Sequence, residues 1–111
     1  MKKGNGLYDL IRLRKSEIDA IIRIFLQHFE KSDHLWIFGS RIDKKKRGGD
    51  IDLYMESHST LEEINEKKIK FLVSLKNEIG EQKIDLVVRS LLSEKILAIH
   101  KEAKETGVQL V

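Results

Sequence analysis

Three short apolar segments, separated by stretches of helical periodicity, constrain the fold of this 111-residue chain most strongly. Residues 35–38 are four consecutive apolar residues, a run too short for a helix and typical of a buried strand. Residues 50–55 and 83–88 are also strand-like, but each carries acidic residues among its apolar ones. This alternation predicts a layered α/β (α+β) domain, with helices on the face of a small sheet opposite the acidic residues. Hydrophobic periodicity does not specify the order of the strands.

Two longer segments have the spacing of amphipathic helices. The first is predicted to begin at Ser16, whose hydroxyl caps the first turn together with Asp19 three residues later. Its apolar stripe comprises Ile18, Ile21, Ile22, Phe25, Leu26 and Phe29. The second is predicted to begin with the capping pair Thr60 and Glu63 and to end at Gly80.

The length is that of a single domain, expected over residues 1–111, with an N-terminal arm at residues 1–15 and a core at residues 35–88. A last helix is predicted from about residue 90 or 93 to residue 105, followed by an edge strand within residues 108–111. Gly107, between the two, is the expected stop signal of that helix.

The composition excludes several kinds of site. The chain has no cysteine, so that disulfides and thiolate metal sites are impossible and any metal must be bound by oxygen or imidazole. The 21 basic and 18 acidic residues give a net charge of +3, which weakly favours an anionic ligand. No uninterrupted apolar run follows the first residues, so that neither a signal peptide nor a membrane span is expected and a cytoplasmic location is predicted.

Three aspartates in the second and third apolar segments are the candidate functional residues. Asp50 and Asp52 are two residues apart, so in a strand their side chains point to the same face. Asp85 lies within an apolar run, where a solvated surface role explains it poorly. Carboxylates this close repel one another unless a cation lies between them, and paired divalent ions prefer such oxygen ligands. The pattern therefore predicts a metal site that supports phosphoryl or nucleotidyl transfer.

The complete pattern of motifs resembles a known family. Gly39-Ser40, nine intervening residues that begin with Arg41, Asp50-Ile51-Asp52 and then Asp85 resemble the nucleotidyltransferase superfamily related to DNA polymerase beta. The similarity is greatest to its smallest members, the minimal nucleotidyltransferases (MNT), and the matching region is residues 35–88. The resemblance implies a polymerase beta palm-like fold, a small mixed sheet with helices packed on one face.

The resemblance also implies a role for each residue of the motif. It assigns the triphosphate of an ATP donor to three residues: Gly39, Ser40 and Arg41. It assigns two magnesium ions to three carboxylates: Asp50, Asp52 and Asp85. The last of these also accepts a proton in this scheme. The protein's work would then be positioning and charge stabilisation, as in phosphoryl transfer generally.

MNT proteins of this kind commonly act as the antitoxin of a toxin–antitoxin pair, transferring AMP to a tyrosine of a HEPN-domain toxin. We expect the same partner here, and a homo-oligomer is possible. One alternative is a nucleotidyltransferase for a small hydroxylated molecule such as an aminoglycoside, and another is a non-catalytic module that masks its partner. Nucleic-acid binding is less favoured, because the basic run at residues 44–47 has the pattern of a solvated loop.

Overall fold

Helices and strands alternate along the chain in the computed structural model, which describes residues 6–42, 50–80 and 82–111. The elements are α1 (Gly6–Asp9), α2 (Lys15–His28), β1 (His34–Phe38), a 3-10 helix (Gly39–Ile42), β2 (Ile51–Ser57), α3 (Leu61–Ile79), β3 (Ile84–Ser90), α4 (Ala98–Thr106) and β4 (Val108–Gln109). The predicted mixed α/β class is confirmed. Within the described ranges, no helix is both long enough and apolar enough to cross a membrane.

The four strands form one mixed sheet in the order β3-β2-β1-β4. Strand β1 is antiparallel to both β2 and β4, whereas β2 and β3 are parallel and joined through α3. All three predicted strands are present, although the second begins at Ile51 rather than Asp50 and the third at Ile84. The expected edge strand is also present, where Trp36 of β1 pairs with Gln109.

One face of the sheet carries most of the core. Every second residue of β1 and β2 points to this face, including the buried Leu35, Ile37 and Leu53. Helices α2 and α3 cover these side chains, and Phe25 of α2 lies between two other rings. Its ring centroid is 4.9 Å from that of Phe29 and 6.0 Å from that of Phe71 on α3. Aromatic packing of this kind adds to the free energy gained by burying apolar area.

The ends of α3 are those that its sequence predicts. The Thr60 hydroxyl accepts the backbone N–H of Glu63 at 3.2 Å, while the Glu63 carboxylate accepts the backbone N–H of Thr60 at 3.0 Å. These two bonds form a capping box. At the other end, Gly80 has φ of 93°, a conformation that favours glycine and ends the helix.

The predicted start of α2 is wrong by one residue. The helix begins at Lys15, and the Glu17 carboxylate accepts the backbone N–H of Arg14 at 3.0 Å. Asp19, predicted to complete a cap with Ser16, instead accepts the Tyr8 hydroxyl at 2.7 Å. A tertiary contact between α1 and α2 therefore takes the carboxylate that the local pattern assigned to the cap.

The prediction that the helices pack on one face of the sheet is correct for α2 and α3 and wrong for α4. Ala103 of α4 packs in a second apolar cluster with Trp36, Phe38 and Tyr54, which point away from α2 and α3. Helix α4 is also shorter than predicted, because it begins at Ala98 and not at residue 90 or 93. The face that carries the aspartates is therefore partly covered.

Glu56 links α4 to the sheet face that carries Trp36 and Tyr54. Its carboxylate accepts the Tyr54 hydroxyl at 2.7 Å and lies 3.3 Å from Arg89 of β3 and 3.2 Å from Lys104 of α4. The Glu56 side chain is only 5% exposed, so that its charge needs these partners. Burial raises the pKa of Glu56, but the hydrogen bonds from Tyr54 and Lys104 and the charges of Lys104 and Arg89 outweigh it and lower the pKa overall.

We predict that Glu56→Gln lowers the free energy of unfolding by about 2–4 kcal/mol at pH 7, because it leaves two cations without their counter-charge. Because the pKa of Glu56 is lowered in the folded state, its carboxylate stabilises the protein fully above the ordinary pKa of 4.5, and this stabilisation is lost as the pH falls through the folded pKa. In urea titrations, the difference in free energy of unfolding between wild type and Glu56→Gln should therefore become smaller below about pH 4.5. Glu62→Gln, at an exposed position of α3, is the control. An equal difference in free energy of unfolding at pH 7 and pH 3.5 would contradict the ion-pairing role of Glu56.

Candidate functional site

Two of the three predicted carboxylates lie side by side. Asp52 of β2 and Asp85 of β3 are register partners in the parallel pair, so their side chains share one sheet face on adjacent strands. Adjacent strands are about 4.8 Å apart, a separation that lets two carboxylates share a cation. Asp52 is partly buried and Asp85 is exposed, so that the pair is open to solvent.

Gly39 holds the chain against Asp52. Phe38 at the end of β1 is the register partner of Asp52, and the next residue, Gly39, starts the 3-10 helix with φ of 77°. A Cβ atom at Gly39 would overlap the Oδ2 atom of Asp52. Glycine is required here for two reasons, the backbone conformation and the close approach to a carboxylate. The Asp52 carboxylate already occupies the space that the Cβ atom of any other residue would need at this position.

Asp50 lies one residue before β2, two positions from Asp52. Its Oδ2 atom is 3.5 Å from Nζ of Lys83, which directly precedes β3. Both side chains are substantially exposed, at 69% for Lys83 and 40% for Asp50, and ion pairs of this kind contribute little to stability. The structure thus pairs one oxygen of Asp50 with a lysine.

Of the three predicted metal ligands, Asp52 and Asp85 therefore form an aligned pair, and Asp50 lies just before the strand that carries Asp52. Among the residues that the structure describes, no group of three or more histidine, cysteine, aspartate or glutamate side chains is arranged to hold a metal ion. The chemistry of the donors still fits magnesium, which takes carboxylate oxygens and keeps several waters. Asp52 and Asp85, aligned on adjacent strands, would supply two such carboxylate groups.

The predicted triphosphate ligands are placed less uniformly. Gly39 lies at the site, while the Ser40 side chain, like the whole basic loop of residues 43–49, lies outside the described part of the chain. Arg41 donates from Nη1 to the carbonyl of Arg12 at 3.2 Å and from Nη2 to Oε1 of Gln82 at 3.4 Å. Its guanidinium is thus drawn towards the residues that precede α2.

Sequence reasoning missed the polar network at the far end of the same face. Tyr54 is fully buried and its ring stacks on His100 with centroids 5.6 Å apart. His100 is also buried, and this burial together with the charge of Arg89 lowers its pKa. The signal was the alternation of residues 52, 54 and 56, which puts Glu56 on the face of Asp52.

Comparison with known proteins leaves the family open. No protein-family model matches the sequence, and no curated protein matches it significantly. The resemblance to the minimal nucleotidyltransferases therefore depends on the motif residues and their spacing.

We predict that Gly39→Ala destabilises the protein more than Gly80→Ala does. Both residues have positive φ, a backbone conformation that costs a residue with a side chain roughly 1–3 kcal/mol. Only at Gly39 does the new Cβ overlap another group, Asp52 Oδ2, whereas nothing lies within 4 Å of a Cβ at Gly80. Urea titrations should show a larger decrease in the free energy of unfolding for Gly39→Ala than for Gly80→Ala. Adding Asp52→Ala should recover most of the difference, and a double-mutant cycle without coupling would refute the contact.

We also predict that Mn²⁺, which binds the same oxygen ligands as Mg²⁺, broadens the backbone NMR signals around Asp52 and Asp85 first. Asp52→Asn should raise the Mn²⁺ concentration needed for this broadening at least tenfold, because one charged ligand of the pair is lost. The matched control is Asp9→Asn at an exposed position of α1. Broadening that is spread over all exposed carboxylates, or equal in both variants, would argue against a metal site.

Proposed function

We propose that this protein is a magnesium-dependent nucleotidyltransferase that moves AMP from ATP to a hydroxyl group. The observation that carries the proposal is the alignment of Asp52 with Asp85 on adjacent parallel strands, with Gly39 packed against Asp52. Two carboxylates at this separation, open to solvent and next to a turn without a side chain, suit a metal-bound phosphate group. Asp50 is close enough in sequence to join them as the third ligand.

Each residue has a distinct role in the proposed reaction. The acceptor oxygen forms a bond to the α-phosphorus of ATP, the bond to pyrophosphate breaks, and the acceptor proton passes to a carboxylate, for which the exposed Asp85 is the candidate. Bound magnesium would supply charge neutralisation of the triphosphate and a lowered pKa of the attacking hydroxyl. Asp52, held against Gly39, fixes the position of the site, and the backbone of Gly39 and Ser40 contacts the triphosphate.

The proposed acceptor is a tyrosine of a HEPN-type toxin, with this protein as the antitoxin. A protein acceptor is favoured by exposed apolar side chains around a pocket of about 190 Å³ at the other end of β3. Leu61 and Leu97 line the pocket and are 51% and 45% exposed, and nearby in the chain Leu92 and Ile96 are 62% and 48% exposed. Exposed apolar surface of this kind is typical of protein contacts. A small acceptor such as an aminoglycoside needs no such surface.

We predict that the protein transfers label from α-labelled ATP to the HEPN-type product of a neighbouring gene when magnesium is present. Asp52→Asn and Asp85→Asn should each lower the rate at least a hundredfold, because each removes a charge from the metal site. Asp9→Asn should leave the rate unchanged, since Asp9 lies at an exposed position of α1 and belongs to none of the strands that carry the aspartates. Mass spectrometry of the partner should locate AMP on a tyrosine.

The same assay separates the proposal from its alternatives. A catalyst inactivates an excess of toxin over time, whereas a masking protein stops at its molar equivalent. Transfer of label to an aminoglycoside, but not to the partner, would favour the small-molecule alternative. An unlabelled partner, or equal labelling by wild type and Asp52→Asn, would reject the proposed function.

A further inference from the structure

His100 caps the first turn of α4 with a ring nitrogen that carries no proton. The backbone N–H of Leu97, the residue directly before the helix, donates to Nδ1 of His100 at 3.1 Å. A ring nitrogen that accepts a hydrogen bond cannot also hold a proton, so the imidazole is neutral and its proton lies on Nε2. The bond satisfies a backbone donor at the start of the helix, as the second half of a capping box does. The start of α4 therefore depends on an unprotonated histidine.

The place of this ring in the structure is unfavourable for a positive charge. His100 is only 6% exposed, and its ring stacks on that of the buried Tyr54. Burial, and after it the charge of Arg89, lowers the pKa of His100 below the ordinary value of 6.5. The Glu56 carboxylate and a hydrogen bond with the Val88 backbone raise the pKa, but they do not outweigh the first two effects.

Charged side chains face this ring from two strands, from α4 itself and from the segment before it. They are Glu56 of β2, Arg89 of β3, Lys104 of α4 and Lys95, which lines the same pocket as His100. Glu56 already pairs with both Arg89 and Lys104. A proton on His100 would therefore add a fourth cation around one carboxylate, in a place where charge is costly to bury.

The contacts of α4 are separate from the main core. Ala103 packs with Trp36, Phe38 and Tyr54 on one sheet face, whereas the larger apolar cluster lies on the other face under α2 and α3. The strands on either side of α4 in the chain, β3 and β4, are both paired in the sheet. Detachment of α4 would thus leave the main core covered and both ends of the helix anchored.

We propose that α4 is an acid-sensitive cover of this sheet face, which is released when His100 takes up a proton at Nδ1. Protonation converts Nδ1 from an acceptor into a donor, so the bond from the Leu97 N–H is lost and two N–H groups point at each other. It also puts a charge in a buried position beside Arg89. Release lets the ring enter water, where a positive charge is favourable. The inference uses none of the three aspartates and is independent of the proposed function.

The sign of the pH dependence follows from the lowered pKa. In the released state His100 has its ordinary pKa of 6.5, so this state binds the proton first as the pH falls. The closed state keeps its full advantage above pH 6.5. Below it, the ratio of closed to released molecules falls by at most about tenfold per pH unit, until the pKa of the closed state is reached.

Hydrogen exchange of backbone amides, followed by NMR on the whole chain, tests the proposal. After correction for intrinsic exchange, the protection of residues 101–107 should fall by up to about tenfold between pH 7.5 and pH 5.5, the limit for one proton. The amides of Phe71 and Leu75 on α3 should keep their protection, because the main core does not open. Nitrogen NMR of the His100 ring should show Nδ1 unprotonated at pH 7.5 and protonated over the same range in which α4 loses protection.

Variants identify the histidine that is responsible. His100→Gln cannot take up the proton, but its amide oxygen can still accept the Leu97 N–H, so the protection of α4 should no longer depend on pH. His58→Gln, the same change at an exposed position after β2, should retain the wild-type pH dependence. His34→Gln is a second control, because the His34 ring lies 6.0 Å from that of Trp36 in the cluster that α4 covers.

Two results would overturn the proposal with the variants, namely pH-independent protection of α4 in the wild type, or an unchanged pH dependence in His100→Gln. Loss of the pH dependence in His34→Gln alone would assign it to the wrong residue and would also overturn the proposal. If His100→Gln does not fold, the wild-type ring decides. A ring protonated at Nδ1 at pH 7.5, or one that titrates while α4 keeps its protection, contradicts the release of α4.

Discussion

The parallel pairing of β2 with β3 is the constraint on which the candidate site depends. Ile51 and Leu53 point into the core beneath α2 and α3, which forces Asp52 between them onto the opposite face. The register then sets Asp85 beside Asp52. A slip of one residue in either strand would drive the carboxylate of that strand into the apolar layer, at a large cost for burying charge. The burial of the core therefore holds the acidic pair in place.

The same register serves a different purpose at the other end of the two strands. Four residues beyond the acidic pair, Glu56 of β2 meets Arg89 of β3, and their opposite charges stabilise each other under the cover of α4. The sheet face that carries Asp52 thus has two different ends. At one end Glu56 is ion-paired beneath α4, and at the other the carboxylates of Asp52 and Asp85 are open to solvent. Only the open end has carboxylates aligned with each other and a turn without a side chain next to them. This difference makes it the reactive end in the proposed function.

The N-terminal residues contribute more than an arm. Tyr8 binds Asp19, and the carbonyl of Arg12 binds Arg41, so that the segment before α2 is tied both to that helix and to the turn after β1. These ties bring arginines from distant parts of the sequence to one pocket.

The sequence by itself determined the elements whose signals are local. The capping pair of Thr60 and Glu63 and the glycine at position 80 set the ends of α3, and apolar alternation put Asp52 on the strand face opposite Ile51 and Leu53. These features depend on residues that are close in the chain, which is why periodicity and capping rules predict them. The order of the strands, by contrast, has no local signature.

Only the tertiary structure decided which distant residues meet. It put α4 on the acidic face, took Asp19 from a helix cap to a bond with Tyr8, and drew Arg41 towards Arg12. Each outcome depends on packing and on contacts between distant residues, which no short stretch of sequence contains. The sequence thus determined which side chains share a face within a strand, while the fold decided that β2 pairs with β3 and which neighbours complete the site.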